Sequence, residues 1–186
     1  MKSTPIGSGQ TISQPYIVAL MTEALQLSPG DRILEIGTGS GYAAAVLSRI
    51  AESVFSIERI QALAKDAADR LKLLGYRNVH VACGDGTRGW PEHAPFDAIV
   101  VTAGGPHVPQ SLLDQLKVGG RLVMPVGNQA HEQQLIRVTR LSPDRFDEEE
   151  LGQVVFVPLI GKEGWHEGSG HDHLDSPDPS KASTVR

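Results

Sequence analysis

The sequence predicts an α/β protein with a doubly wound, mostly parallel, Rossmann-like sheet of about seven strands and helices on both faces. Three observations predict this fold. From residue 32 onward short apolar runs alternate with helical patterns, a glycine-rich turn follows the first run, and acidic residues lie at the ends of the next two. Repeated strand–helix–strand units place parallel strands in one sheet, whose carboxyl ends form the ligand site.

The elements are predicted in chain order from periodicity. PYIVALMTEALQL has apolar residues at helical spacing with Pro15 near its start, and Ser13 is placed as the N-cap of this helix. Strands are then predicted at 32–37, 53–58, 79–84, 96–103 and 121–127. The intervening segments predict helices at 40–51, 60–75 and 109–117.

The last two apolar runs, 135–141 and 154–160, follow each other without a helical pattern between them. We expect an antiparallel pair at one edge of the sheet, joined by the solvated acidic turn PDRFDEEE. After residue 161 the composition becomes polar and rich in Gly, Ser, Pro, Asp and His. The sequence therefore predicts one domain over residues 1–161 and a disordered tail or linker over 162–186.

The composition limits the classes of molecule that this protein is expected to bind. The 186 residues carry a net charge of -5 without a basic cluster, which argues against a nucleic-acid or membrane surface and favours small molecules or peptides. Residues 1–20 lack the pattern of a secretion signal, and the single Cys83 excludes an internal disulfide, so a cytoplasmic location is expected. A monomer is also expected. No metal is expected, because the tail residues His166, His171, Asp172 and His173 match no fixed ligand spacing.

The glycine-rich turn indicates the cofactor. In GTGSGY, Gly37, Gly39 and Gly41 let the backbone approach a ligand, but Tyr42 stands where a dinucleotide fingerprint needs a third glycine or alanine. This mismatch argues against NAD. Glu35, two residues before the first glycine, would suit an ammonium or sulfonium group better than a pyrophosphate.

Two further acids complete the predicted site. Glu58 ends the second strand and is expected to accept hydrogen bonds from ribose hydroxyls. Asp85, in the sequence CGDG, is expected to accept from the exocyclic amine of adenine. Thr38, Arg59 and Gly86, which adjoin these residues, are assigned to the same site. The ligand so described is an adenosine that carries a charged group without phosphate.

Several motifs together resemble those of the protein-L-isoaspartate O-methyltransferases, a family of class I S-adenosylmethionine-dependent methyltransferases. They are GQTISQPY, LEIGTGSGY, GDG, PFDAIVVTA, VPQSLLDQLKVGGRLVMPVG and FVPLIG. The resemblance implies S-adenosylmethionine as the methyl donor, S-adenosylhomocysteine as its product and isoaspartyl proteins or peptides as acceptors. It also implies that Ser13 is catalytic and orients the acceptor carboxylate. The hydroxyl of Thr11 is expected to help hold the same carboxylate.

The resemblance also leaves questions open. The family has a helical segment before GQTIS, whereas this chain starts six residues before the motif's first glycine, so an N-terminally shortened version is expected. Two other functions therefore remain open at the sequence level. One is a methyltransferase for small carboxylates or hydroxyls. The other is a module that binds the cofactor without transferring its methyl group.

Overall fold

The computed structural model describes residues 4–7, 10–12, 14–129 and 132–167. For residues 4–7, 10–12 and Gln129 it describes the backbone alone. Ser13 and residues 168–186 lie outside the described residues.

Two short strands and a helix precede the main sheet. Strands β1 (Thr4–Gly7) and β2 (Gln10–Ile12) pair antiparallel, and helix α1 (Pro15–Leu25) follows. Gln14, in an extended conformation, holds the N-cap position of α1, and its side chain makes no capping bond. The expectation that Ser13 caps this helix is therefore wrong, because Pro15 already starts the helix and places the cap one residue later.

Seven strands form the main sheet: β3 (Arg32–Ile36), β4 (Ser53–Glu58), β5 (Val79–Cys83), β6 (Phe96–Val101), β7 (Leu116–Gln129), β8 (Glu132–Ser142) and β9 (Arg145–Val154). Their order across the sheet is β5-β4-β3-β6-β7-β8-β9. The first five in this order are mutually parallel, and β8 runs antiparallel to both of its neighbours, β7 and β9, so the predicted fold class is confirmed. Between them lie helices α2 (Tyr42–Leu47), α3 (Gln61–Leu73) and α4 (Gln110–Gln115), and the 3-10 turns Gly86–Arg88 and Pro91–His93.

Apolar side chains cover both faces of the sheet. Met21 and Leu25 of α1, Leu47 of α2 and Leu71 of α3 pack on one face against Ile33 and its neighbours. Leu112 of α4, together with Leu159, packs on the other face against Leu34, Ile36 and Phe55. This alternation of Ile33 and Leu34 between faces is the period-2 pattern of a strand that is buried on both sides.

The antiparallel pair at the sheet edge differs from its predicted position. The turn between β8 and β9 consists of Pro143 and Asp144 alone, because Ser142 pairs directly with Arg145. Residues 147–150 (DEEE), expected in a solvated turn, belong to the edge strand β9, where they are exposed. An edge strand tolerates these charges because its outer side faces water.

The segment after β9, which we call the C-terminal strap (residues 156–167), is not a strand of the edge pair. It pairs locally with the loop after β6: the Gly104 N–H donates to the Val157 carbonyl and the Leu159 N–H to the Gly104 carbonyl, both at 2.8 Å. Residues 162–167 also bond to the core, so the tail expected to begin at residue 162 does not begin there.

None of the helices in the described part of the chain combines the length and apolar character that a bilayer span requires.

Candidate active site

A cleft opens at the carboxyl ends of β3, β4 and β6, where the strand order reverses. It is partly open to solvent. Its floor is the glycine-rich turn after β3, and one wall is the strap segment 157–160. Ligands of open α/β sheets bind at this switch point, because the chain leaves the two central strands in opposite directions there.

Glu58 ties the glycine-rich turn to the end of β4. Its Oε2 accepts the Gly39 N–H and its Oε1 accepts the Ile60 N–H, each at 3.0 Å. The side chain lines the cleft, although the residue is only 6% exposed. A carboxylate has about four acceptor positions, so Glu58 can accept further bonds from ligand hydroxyls.

Glu35 lies beneath the turn and does not line the cleft. Ile36 faces the cleft, and strand alternation turns Glu35 to the opposite face, where α2 packs. Its Oε2 accepts from the Ser56 hydroxyl, which in turn bonds the Thr38 hydroxyl at 2.6 Å. The prediction that Glu35 meets the ligand's cation therefore does not agree with this geometry.

The surroundings of Glu35 also change its acidity. The residue is fully buried, and its Oε1 has no hydrogen-bond partner within the described residues. Burial raises the pKa of Glu35 to about 8, the Glu58 carboxylate adds to the rise, and the Ser56 hydroxyl and the Ala44 backbone oppose it. Glu35 is thus mainly uncharged at neutral pH and supports the turn through Ser56 and Thr38.

The three glycines of the turn lie at different places around the cleft. Gly37 and Gly39 line it, whereas Gly41 lines a neighbouring groove between α2 and α3. Gly41 has φ +82°, and a side chain there would lie 3.2 Å from Leu71 Cδ1. A left-handed conformation and close helix packing both favour glycine at this position.

Asp85 makes bonds that the sequence did not predict. Its Oδ1 accepts from the Thr87 N–H at 2.9 Å and from the Thr87 hydroxyl at 2.7 Å, and its Oδ2 accepts from the Lys162 N–H at 2.9 Å. Burial opposes its charge, but the bonds from Lys162 and Thr87 outweigh this effect and lower the pKa of Asp85. Its neighbour Gly86 lines the cleft, whereas Asp85 does not.

The two predicted acceptor-orienting residues cannot both be placed. Thr11 lies in β2, where its backbone pairs with Pro5, and only its backbone is described. Ser13 lies outside the described residues. The chain between them and the cleft is short, since Val18 of α1 already lines the cleft wall.

Several cleft residues were missed at the sequence level. Thr102 follows β6, lines the cleft and donates its hydroxyl to the Ile36 and Gly37 carbonyls at 3.0 and 2.8 Å. The sequence could have predicted this residue, because Thr102 directly follows a central strand and the carboxyl ends of the strands meet at this edge of the sheet. The wall formed by Leu159 and Ile160 was missed because its apolar run resembles a strand.

A family model described as "Protein-L-isoaspartate(D-aspartate) O-methyltransferase (PCMT)" matches residues 1–164. The chain belongs to the protein-L-isoaspartate O-methyltransferase family. Protein-L-isoaspartate O-methyltransferase 2 of Pelobacter propionicus is 67% identical over 161 residues, which cover 87% of this chain and 72% of that relative. The family predicted from the sequence motifs is therefore confirmed, and the chain is a methyltransferase of that family.

Two solved structures extend the similarity to the fold. A protein-L-isoaspartate O-methyltransferase superposes with a TM-score of 0.79 at 33% identity, covering 88% of this chain and 57% of that one. A second, from Plasmodium falciparum, has a TM-score of 0.71 at 27% identity over 85% of this chain and 79% of its own. The Plasmodium falciparum structure is that of a complex with S-adenosyl-L-homocysteine.

The cleft of this family member fits an adenosine derivative without phosphate. Ile36 and Ile57 on the sheet side and Leu159 and Ile160 on the strap side provide apolar walls for a flat base. Glu58 provides an acceptor for hydroxyls in the lining of the cleft. Among the described lining residues the cation is Arg59, whose guanidinium lies 3.2 Å from Glu167, so a basic cluster for a pyrophosphate is not formed there.

The described residues form no cluster of three or more His, Cys, Asp or Glu side chains that could hold a metal ion. His171, Asp172 and His173 of the tail lie outside the described residues.

Proposed function

We propose that this chain transfers a methyl group from S-adenosylmethionine to the free α-carboxylate of L-isoaspartyl residues in proteins or peptides. The observation that carries the proposal is the cleft at the carboxyl ends of β3, β4 and β6, which is lined by the Glu58 carboxylate and by apolar walls formed with the strap. Family membership supports the same reaction.

The cofactor would supply an electrophilic methyl group on a sulfonium. Glu58 would accept bonds from the ribose hydroxyls, Gly37, Thr38 and Gly39 would form the floor, and Gly86, Arg59 and the strap would border the base. Glu35 supports this floor from below through Ser56 and Thr38.

The acceptor needs positioning more than activation, because a carboxylate is already ionised at neutral pH. Methyl transfer requires its oxygen in line with the methyl–sulfur bond and shielded from water. In the product, the following backbone nitrogen attacks the ester carbonyl and expels methanol, which gives a succinimide. Hydrolysis of the succinimide then returns part of the residue to normal aspartate.

The assay that tests this function uses donor labelled in its methyl group and two peptides that differ only in an isoaspartyl or an aspartyl linkage. We expect label in the isoaspartyl peptide alone. Label in small carboxylates but in neither peptide would instead indicate a small-molecule methyltransferase. Donor binding without transfer to any acceptor would indicate an inactive binding module.

We also propose that Ser13 and Thr11 orient the acceptor carboxylate. The support is that Gln14, not Ser13, occupies the cap of α1, so a capping role does not account for the serine. Hydroxyl groups can donate to a carboxylate without competing as strong nucleophiles.

Substitution of Ser13 tests the orienting role. Ser13→Asp should abolish transfer, because a second negative charge opposes the substrate carboxylate, and Ser13→Ala should slow transfer by about tenfold or more. Single-turnover methylation of the isoaspartyl peptide is measured beside melting curves and S-adenosylhomocysteine binding, both of which should remain near wild type. Near-normal transfer by Ser13→Asp would contradict the proposal.

The cellular setting belongs to the same proposal. An acidic chain with net charge -5 and a single cysteine suits a monomer that acts on damaged proteins in the cytoplasm rather than on nucleic acids or membranes. Sedimentation at several protein concentrations would test the monomeric state.

A further inference from the structure

The C-terminal strap passes over the carboxyl edge of the sheet before it forms a wall of the cleft. Phe156 packs with the apolar side chains on the face that α1 covers, whereas Val157 and Leu159 pack on the opposite face. Residues 157–160 line the cleft. The wall therefore starts directly after Phe156, and the position of the Phe156 backbone determines where the wall lies.

The side chain of Gln133 holds the Phe156 backbone. Gln133 belongs to β8 and pairs with Val154, the last residue of β9. The Phe156 N–H donates to Gln133 Oε1 at 2.8 Å, and Gln133 Nε2 donates to the Phe156 carbonyl at 3.0 Å. Residues of antiparallel strands exchange the same two bonds through their backbones. The Gln133 amide thus continues the β8–β9 pairing beyond the point where the backbone pairing ends.

Gln133 is tightly enclosed where it makes these bonds. Only 3% of the residue is exposed, and a Cβ built on Gly104 would lie 2.4 Å from Gln133 Nε2. Gly104 in turn pairs with the strap through the Val157 carbonyl and the Leu159 N–H. The amide, the loop after β6 and the start of the strap therefore pack closely together. An apolar side chain in place of Gln133 would leave both polar groups of Phe156 without these partners.

Other contacts hold the strap beyond the wall. The Trp165 indole N–H donates to the Gly104 carbonyl at 3.1 Å, and the Lys162 N–H donates to Asp85 Oδ2 at 2.9 Å. These bonds fix residues that follow the wall, whereas Gln133 fixes the residue that precedes it. A short segment held at both ends stays closed against a ligand, and release of either end lets it open.

We infer that Gln133 is a positioning residue for the cleft: its side-chain amide fixes Phe156 and so holds residues 157–160 in place as a wall against which the cofactor binds. Gln133 itself lies outside the cleft lining and acts through the strap backbone. This inference rests on the proposed function for the identity of the ligand. Loss of the two bonds would free the start of the wall and let the cofactor dissociate faster.

Substitution of Gln133 by methionine is the first test. Gln133→Met keeps an unbranched side chain of similar length and removes both bonds to Phe156. S-adenosylhomocysteine should bind about tenfold more weakly, through faster dissociation, as measured by calorimetry and stopped-flow displacement. Gln153→Met, at an exposed position on β9, is the matched control and should bind like wild type. Wild-type affinity in Gln133→Met, even with a lower melting temperature, would overturn the inference.

Gln133→Glu separates the two bonds from a general effect on the fold. A protonated carboxyl group can donate its O–H to the Phe156 carbonyl and accept the Phe156 N–H, whereas an ionised carboxylate can only accept. Burial raises the pKa of a carboxyl group, so the protonated form should persist at mildly acidic pH. Relative to wild type at the same pH, affinity for S-adenosylhomocysteine should be nearly normal at about pH 5.5 and about tenfold weaker at about pH 8.5.

The affinity of Gln133→Glu at the lower pH decides this test. A value close to that of wild type, beside weak binding by Gln133→Met, supports the pairing with Phe156. A value as low as that of Gln133→Met would overturn the inference. Gln153→Glu provides the control for the added charge and should follow wild type at both pH values.

A third measurement needs no ligand. In the cofactor-free protein, the Phe156 and Leu159 amides should exchange slowly in wild type and faster in Gln133→Met, with the amides of β3 and β6 unchanged. Equal exchange of Phe156 and Leu159 in both proteins would overturn the inference. If wild type failed to bind S-adenosylhomocysteine, the proposed function would fail, and this exchange measurement would still decide whether Gln133 holds the strap.

Discussion

Two glutamates at neighbouring strand ends have opposite roles because their surroundings differ. Glu58 reaches the cleft and accepts backbone N–H groups from Gly39 and Ile60, so it joins the ligand surface to the loop that shapes it. Glu35 is fully buried on the far side of the same loop, with one oxygen unpaired within the described residues. A strand's alternation, rather than distance along the sequence, separates these roles.

Because Glu58 both lines the cleft and bonds the glycine-rich turn, we expect Glu58→Gln to impair cofactor binding more than stability. One carboxylate oxygen becomes an NH₂ group that faces either a backbone N–H or a ligand hydroxyl, so cofactor affinity should fall by about tenfold. Calorimetric titration with S-adenosylhomocysteine measures the effect, and Glu52→Gln, at an exposed position, is the control. A variant that loses stability but keeps its affinity would show that Glu58 has only a structural role.

The pKa of Glu35 predicts how stability depends on pH. The pKa of Glu35 in the folded state, about 8, lies above its ordinary value of 4.5. Between these two pH values the folded protein therefore keeps a proton on Glu35 that the unfolded chain releases. The contribution of Glu35 to the free energy of unfolding is therefore fully present below the lower value and is lost as the pH rises through the higher one.

Glu35→Gln should remove that dependence, because the amide stays neutral. From about pH 5 to about pH 8.5 wild type should lose more of its free energy of unfolding than the variant does, as measured by denaturant titration at each pH. Parallel pH profiles for the two proteins would mean that Glu35 is ionised in the folded state.

The sequence could predict which strand ends carry the site but not what each side chain contacts. Gly37, Gly39, Glu58 and Gly86 line the cleft as their positions at strand ends suggested. Glu35 was placed at the right loop but turns away from the cleft, and the bond between Asp85 and Lys162 was not predicted because it joins residues far apart in the chain. Spacing along the sequence carries no information about such contacts.

At the level of elements, the last third of the sheet was harder to predict than the first. The run 154–160 has the apolar content of a strand. Its backbone instead forms an isolated pairing with Gly104, and residues 157–160 form a wall of the cleft. The acidic run 147–150 resembles a loop and forms an edge strand. Both differences arise because pairing partners, not local propensity, decided the structure.

The attachment of the strap predicts that two truncations will differ. Removal of residues 168–186 should leave the melting temperature unchanged, because that segment is polar throughout most of its length. Removal of residues 162–186 also deletes the bonds from Lys162, Glu163 and Trp165, so it should lower stability by about 1–3 kcal/mol.

Thermal unfolding of the two truncated chains and the full chain, followed by circular dichroism, provides the comparison. The shorter deletion serves as the control for loss of the tail as such. Equal melting temperatures for both truncations would show that residues 162–167 add nothing to the stability of the core.

For the whole molecule, fold class was the most predictable property because many weak signals agree. Alternating strands and helices, a glycine-rich turn and acids at strand ends all indicate the same parallel sheet. The placement of α2 and α3 on one face and α4 on the other follows from right-handed crossovers between parallel strands. The strap lies outside these rules, since it packs by side-chain contacts and isolated backbone bonds and not as a strand or a crossover helix.

The exposed acidic run on β9 also affects how two copies of the sheet would meet. A second molecule that added its own β9 to this open edge would bring the carboxylates of residues 147–150 to within about 5 Å of their counterparts. That separation is shorter than the screening length of about 8 Å at physiological ionic strength, so salt would weaken the repulsion without abolishing it. The four acidic side chains, which make this strand resemble a turn in the sequence, therefore protect the folded protein against edge-to-edge aggregation.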